Sequence, residues 1–220
     1  MRLMTVLDAE YPDNLRAVHD RPPLIFVAGR LQPSDTRSVA VVGSRKASGE
    51  GLERAASIAG HLVGSGYAVM SGLAAGIDTA AHTATLAAGG RTVAVIGTGL
   101  AHSYPPENAA LQRKIVNKGA VVSQFWPEAP PSLRSFPMRN AVMSGLTLGT
   151  VVVEASATSG ARVQARLGLA HGRSVFLARS LLSQDWARAL AGRPGAHAFE
   201  SPDEITDVIG RVTSAGALVA

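Results

Sequence analysis

The chain has 220 residues, 46% of them hydrophobic and 17% charged, which is enough apolar material for one domain with its own core and too little charge for a disordered chain. No apolar stretch approaches the ~18 residues of a membrane span, the N-terminal "MRLMTVLDAEYPDNL" meets acids where a secretory signal would be apolar, and the absence of cysteine excludes disulfides, thiolate catalysis and Cys-based zinc sites and fits a reducing cytosol. The net charge of +5 is uneven: residues 37–180 carry 14 Lys+Arg against 6 Asp+Glu, and all basic residues except Lys46, Lys114 and Lys118 are arginines, the side chain suited to bidentate phosphate recognition.

Residues 1–36 read as an N-terminal extension: a short helix around 11–19, then a strand in "RPPLIFVAGRL" expected at an added edge of a sheet. "VAVVG" (39–43) opens a series of short apolar runs, continued by "AVMSG" (68–72), "TVAVIG" (92–97), "AVVSQ" (120–124), "TVVVEA" (150–155) and "SVFLA" (174–178). Continuous rather than alternating apolar runs mark strands buried on both faces. Helical patterns fall between them, near 49–65, 76–88, 106–118, 137–146 and 160–171. This alternation predicts an α/β fold: a doubly wound, mostly parallel sheet with helices on both faces, in one domain spanning 1–220. "SQDWARALAGRPGAHAF" reads as helix, turn and short strand. "SPDEITDVIGRV" reads as a final helix capped by Ser201 with Pro202 at its first position. Residues 212–220 are expected to fray.

Right-handed crossovers place every strand-to-helix loop on one edge of such a sheet, and four of these loops combine glycine with hydroxyl residues. "GSRKASGEG" (43–51) supplies Gly43, Ser44, Arg45, Lys46 and Ser48. "SGLAAGIDTAAH" (71–82) supplies Ser71, Gly72, Gly76 and Asp78. "GTGLAHSYPPEN" (97–108) supplies Gly97, Thr98 and Gly99, and "EASATSGARVQAR" (154–166) supplies Ser159 and Gly160 at a helix start. Backbone amides at helix N-termini bind anions, and glycine lets a phosphate approach closely, so the four loops together predict a phosphate-lined crevice. The first loop is neither a P-loop nor a G-x-G-x-x-G loop, and no acidic residue closes the second strand, which disfavours a dinucleotide. "RSFPMRNAVMSGL" (134–146) places Arg139 and Asn140 at a helix start, where the pair can reach a phosphate and a base edge, or Asn140 can bridge loops while Phe136 packs. Asp78 and Glu154 sit at neighbouring loops, as an acid–base pair or, on the favoured reading, as acceptors for loop amides. His82 and His171 read as packing or surface residues. No two histidines have a metal-site spacing such as H-E-x-x-H, and no G-x-S-x-G elbow exists, so neither a metal nor a cofactor is expected.

The motifs "VAVVGSRKAS", "SGLAAGIDTAAH", "TVAVIGTGLAHSYPPEN", "FPMRN…SGL" and "VVVEASATSGARVQARLGLAHGRSVFL" resemble, in order and spacing, the DNA-processing protein A (DprA/Smf) family over roughly residues 11–208. The resemblance implies an extended Rossmann-like domain that binds single-stranded DNA without catalysis, protects incoming DNA in natural transformation and delivers it to the RecA recombinase as a cytoplasmic homodimer. Gly43, Ser44 and Arg45 fall on the family's G-S/T-R loop. Ser71, Gly72, Gly76 and Asp78 fall on its S-G-x-A-x-G-I-D motif, Gly97, Thr98 and Gly99 on its third loop, and Arg139 and Asn140 on its F-P-x-R-N motif. Ala141 stands where the family usually has a further arginine, and Arg179-Ser180 where it usually has Pro-Gly. These 220 residues contain neither the family's usual N-terminal helical domain nor its C-terminal winged-helix-like domain. Two other functions fit a crevice of this kind: a small-nucleotide sensor, and an enzyme resembling the nucleotide phosphoribohydrolases. The latter carry a P-G-G-x-G-T loop where this chain has "ATSGAR". With 5% aromatic residues, Phe136 and Tyr104 are the best candidates for base stacking.

Overall fold

The computed structural model describes residues 1–217. Nine strands form one sheet: β1 (Arg2–Thr5), β2 (Leu24–Gly29), β3 (Ser38–Val42), β4 (Ala68–Ser71), β5 (Thr92–Val95), β6 (Ala120–Ser123), β7 (Gly149–Val152), β8 (Ser174–Ala178) and β9 (Ala196–Phe199). Their order is β1-β2-β6-β5-β4-β3-β7-β8-β9. The seven strands from β6 to β9 in that order run parallel, while β1 and β2 are antiparallel additions. Every residue of β3 to β8 is buried, which is why their sequences are unbroken apolar runs carrying an occasional Ser or Thr; the Ser71 and Thr92 hydroxyls bond back to the sheet carbonyls of Val41 and Val69.

The helices are α1 (Asp13–Arg16), α2 (Gly49–Gly64), α3 (Ile77–Ala87), α4 (Ala109–Lys118), α5 (Ser135–Leu146), α6 (Gly160–Ala170), α7 (Asp185–Ala191) and α8 (Pro202–Ala217). Winding out from β3, the chain steps one way through β4, β5 and β6, then returns to the far side of β3 for β7, β8 and β9. Right-handed crossovers therefore lay α2, α3 and α4 on one face and α6 on the other. The packing agrees: α2 lies against α3 and α8, and α5 against α6 and α1. The strand order reverses between β3 and β7. At such a switch point the loops diverge to opposite faces and open a crevice at the carboxyl ends of the strands.

Three expectations need correction. β2 is not an edge, because β1 pairs outside it, Arg2 opposite Val27 through Thr5 opposite Leu24. β1 has only four residues, with Arg2 and Leu3 exposed, too short for a periodic signal. Helix α5 begins at Ser135 rather than near 137, because Ser132 and Ser135 cap each other: each backbone N–H donates to the other's hydroxyl, at 3.2 and 3.0 Å. This moves Arg139 and Asn140 into the second turn. Finally, α8 continues to Ala217 through most of the segment expected to fray; residues 218–220 of that expectation lie outside the described residues.

The N-terminal extension is stitched to the core. The Tyr11 hydroxyl donates to Pro22 O at 2.7 Å, and Asn14 Nδ2 donates to Thr36 O and Leu146 O. Leu15 and Val18 press against Gly145, where a Cβ would lie 2.7 Å from Leu15 Cδ1.

Candidate nucleic-acid interface

The cleft at the switch point has a volume of about 660 Å³, and its wall includes Arg45, Lys46, Phe136, Asn140, Ser159 and Gly160. A narrower slot of about 80 Å³ adjoins it beyond Arg45, closed by Gly72, Gly97, Thr98, Tyr104, Pro105 and Phe136. Larger grooves lie between α3 and α4 (about 970 Å³) and under the N-terminal extension (about 890 Å³). Neither sits at the switch point.

Two of the helix N-termini expected to receive a phosphate already hold an anion belonging to the chain. At α2, the Glu154 carboxylate accepts from the Ser48 backbone N–H and, at 2.6 Å, from the Ser48 hydroxyl, which in turn accepts from Gly51 N. At α3, Asp78 Oδ2 accepts from Gly72 N at 3.0 Å and Ala74 N at 3.3 Å. These bonds match the loop-orienting reading of both carboxylates. Burial pushes the Asp78 carboxyl up, against the opposing pull of the Arg139 guanidinium and the two amides. The N-terminus of α6 differs. Ser159 caps it by accepting from Ala161 N, and a side chain on Gly160 would meet open space.

Most of the glycines expected to admit a phosphate admit protein instead. A Cβ on Gly72 would lie 1.5 Å from Arg139 Nη1. On Gly43 it would meet Ile77 Cγ1 at 2.5 Å and Glu154 O at 2.7 Å. Gly76, at φ +76, lies against Ser44 O, Gly97 against the Phe136 ring, and Gly99 against the carbonyls of Trp126 and Pro127. Ser71 is buried and donates to Val41 O at 2.7 Å, and the buried Thr98 has an unpartnered hydroxyl. Ser44 is half-buried: its N–H donates to Glu154 O, its carbonyl accepts from Ile77 N, and its hydroxyl accepts from Lys46 N. The loops after β3, β4 and β7 thus interlock, and this tight packing requires the small residues.

Arg139 and Asn140 are likewise not at a free helix start. Arg139 is 6% exposed. Its Nη1 donates to Val95 O at 2.8 Å, its Nε has no partner, and burial lowers its pKa against the attraction of Asp78. Asn140 is buried and ties α5 to α6 by donating to Gly160 O at 3.2 Å, which is the bridging alternative, with Phe136 packed as that alternative has it. Arg45 and Lys46 are exposed, and among the described residues no acidic side chain pairs with either. The Arg45 guanidinium lies 5.1 Å from the Phe136 ring centroid, and Tyr104 lies 5.6 Å from the same ring. Gln164, buried at the cleft wall with its Oε1 unpartnered, was not singled out in the sequence, where it looks like any polar position of an amphipathic helix.

Geometry and charge define an α/β Rossmann-like protein with an arginine-guarded cleft at its switch point. The family profile described as "DNA recombination-mediator protein A" matches residues 2–210, and the chain belongs to that family. It is 41% identical over 172 residues to the DNA processing protein DprA of Streptococcus pneumoniae, an alignment covering 78% of this chain and 61% of that protein. The crystal structure of the same pneumococcal protein superposes with a TM-score of 0.85 at 36% identity, over 94% of this chain and 73% of that one. The DNA processing protein A of Helicobacter pylori, whose structure comes from a study of its single-stranded DNA binding mode, superposes with a TM-score of 0.83 over 96% of this chain and 97% of that one. At 22% identity it bears on the fold alone. The chain spans between about half and three-fifths of the length of the curated relatives it matches. Among the described residues, no helix is long and apolar enough to cross a membrane.

Proposed function

We propose that this protein binds single-stranded DNA non-catalytically in the switch-point cleft, as a DNA-processing protein of the reducing cytosol. The observation that carries this reading is the pair Arg45 and Lys46: exposed, unpaired by acids, and held at the cleft mouth beside the Phe136–Tyr104 aromatic pair. Exposed cations attract a phosphate backbone, and aromatic rings accept bases without regard to sequence. In this reading Arg45, Lys46, Ser159 and Gly160 face the phosphates, and Phe136 and Tyr104 face the bases. Arg139 and Asn140 form the floor, and the remaining small residues set the loop geometry. The loop amides that Asp78 and Glu154 accept from take up the two carboxylates considered for acid–base chemistry, which supports binding over hydrolysis. The family resemblance supports two further parts of the proposal: a homodimeric state and transfer of the strand to RecA.

A titration of labelled oligodeoxythymidine against duplex of equal length, at two salt concentrations, tests the reading. Tighter binding of the single strand with a clear salt slope is expected; equal or tighter duplex binding at matched salt overturns it. The unpartnered Oε1 of Gln164 at the cleft wall favours a second reading, a free nucleotide held in the cleft. Saturable binding of labelled mononucleotides with no gain on lengthening the oligonucleotide selects it.

A further inference from the structure

Helix α6 has chemistry at both ends. Gly160 borders the cleft; His171 lies just past the other end, roughly 16 Å along the axis. There the loop between α1 and β2 meets the α6 C-terminus. The His171 side chain is 0% exposed. Its Nε2 lies 2.7 Å from Asp20 Oδ1, and its Nδ1 lies 2.5 Å from the hydroxyl of the buried Ser144. The exposed His19 meets the His171 ring edge-on, with centroids 5.5 Å apart and planes at 74°. One donor atom from each of His19, Asp20 and His171 lies within 4.8 Å of the other two.

We propose that His19, Asp20 and His171 bind one divalent transition-metal ion of the zinc class, fastening the N-terminal extension to α6. Two imidazoles and a carboxylate are the donor set for such ions, whereas calcium and magnesium take oxygen shells. Ser144 holds the second ring nitrogen of His171, the outer-shell contact that fixes a ligating imidazole. The carbonyl end of α6 adds negative partial charge beside a cation. Arg173, the nearby cation, directs Nη2 to the carbonyls of Asn14 and Gly145. Donors about 2.0–2.2 Å from one tetrahedral ion stand roughly 3.3–3.6 Å apart, so the Asp20–His171 contact opens slightly and His19 swings inward. Neutral His171 takes the ion at Nε2 as the tautomer protonated at Nδ1, with that N–H donating to the Ser144 hydroxyl, so no proton is released; from a protonated His171 the Nε2 proton passes to solvent.

The test uses the full chain, stripped with a chelator and titrated with zinc chloride by calorimetry and with cobalt(II) by visible absorption. One saturable equivalent in the micromolar range is expected, with the intense cobalt bands of a tetrahedral site, and zinc raises the thermal midpoint. His19→Ala, a change at an exposed position, keeps the metal-free circular dichroism and melting of the parent but loses at least tenfold in zinc affinity and the zinc-induced rise. Ser144→Ala loses about tenfold. Absence of saturable micromolar binding overturns the proposal, as does parent-like binding by His19→Ala, which places the ion elsewhere.

Discussion

Arg45 and Arg139 approach the same cleft from two regions that treat a guanidinium in opposite ways. At the mouth, Arg45 is exposed and lies over Phe136 without an acidic partner. At the floor, Arg139 fills the space left by the missing side chain of Gly72 and donates to the end of β5 near Asp78. The mouth keeps its charge available to a ligand. The floor spends its charge on tying α5 to the ends of β4 and β5. An arginine in a motif is therefore a ligand or a scaffold according to what already surrounds it.

The floor predicts the largest effects. Arg139→Ala leaves the buried Asp78 without its cation and opens a void above Gly72. A loss of about 3 kcal/mol or more in urea unfolding is expected. Were Arg139 to line one groove with Arg45, its loss would instead weaken DNA binding alone. A folded Arg139→Ala variant of parent stability, weakened only toward DNA, would erase the distinction drawn here.

His82 sharpens the same contrast. It is buried beneath the floor with Nδ1 2.7 Å from Thr92 Oγ1, and desolvation lowers its pKa from 6.5 to about 3, assisted by the Arg139 charge. Between those values the unfolded chain binds the extra proton and the folded chain does not, so stability rises with pH across the window. It is complete above 6.5 and is lost on acidification toward 3, by on the order of a few kcal/mol. His82→Gln should flatten the stability–pH curve below 6.5; an unchanged curve would show that His82 is not the source.

A smaller effect is expected at the α2 N-terminus. Ser48→Ala removes both the cap to Gly51 and the hydroxyl bond to Glu154, at a cost of about 1 kcal/mol, with oligonucleotide affinity within twofold of the parent. A larger loss of affinity than of stability would return Ser48 to the ligand-binding surface.

The strands were legible because a doubly covered parallel sheet leaves a strong mark, the unbroken runs of β3 through β8. Strand β1 left none, and without it β2 looked like an edge. The loops were legible as a set gathered on one sheet edge. Which of them were already occupied was not: Glu154 reaches Ser48 across 106 positions, and His171 reaches Asp20 across 151. Spacing rules describe ligands that share an element and are silent on pairs the fold assembles. The identity of the small residues was visible, but not whether a phosphate or Arg139 would fill the space they leave.

The most direct measurement is single-stranded DNA binding by Arg45→Ala across a salt series, with urea unfolding in parallel. A charge-assisted contact is worth about 1.5–3 kcal/mol, so affinity should fall roughly tenfold or more, with Arg45→Lys intermediate. The slope of log affinity against log salt should shrink by about 0.7, one phosphate contact on a single strand, while the unfolding midpoint stays at the parent value. Parent-like DNA binding by a folded Arg45→Ala, or unfolding of that variant, would contradict the account.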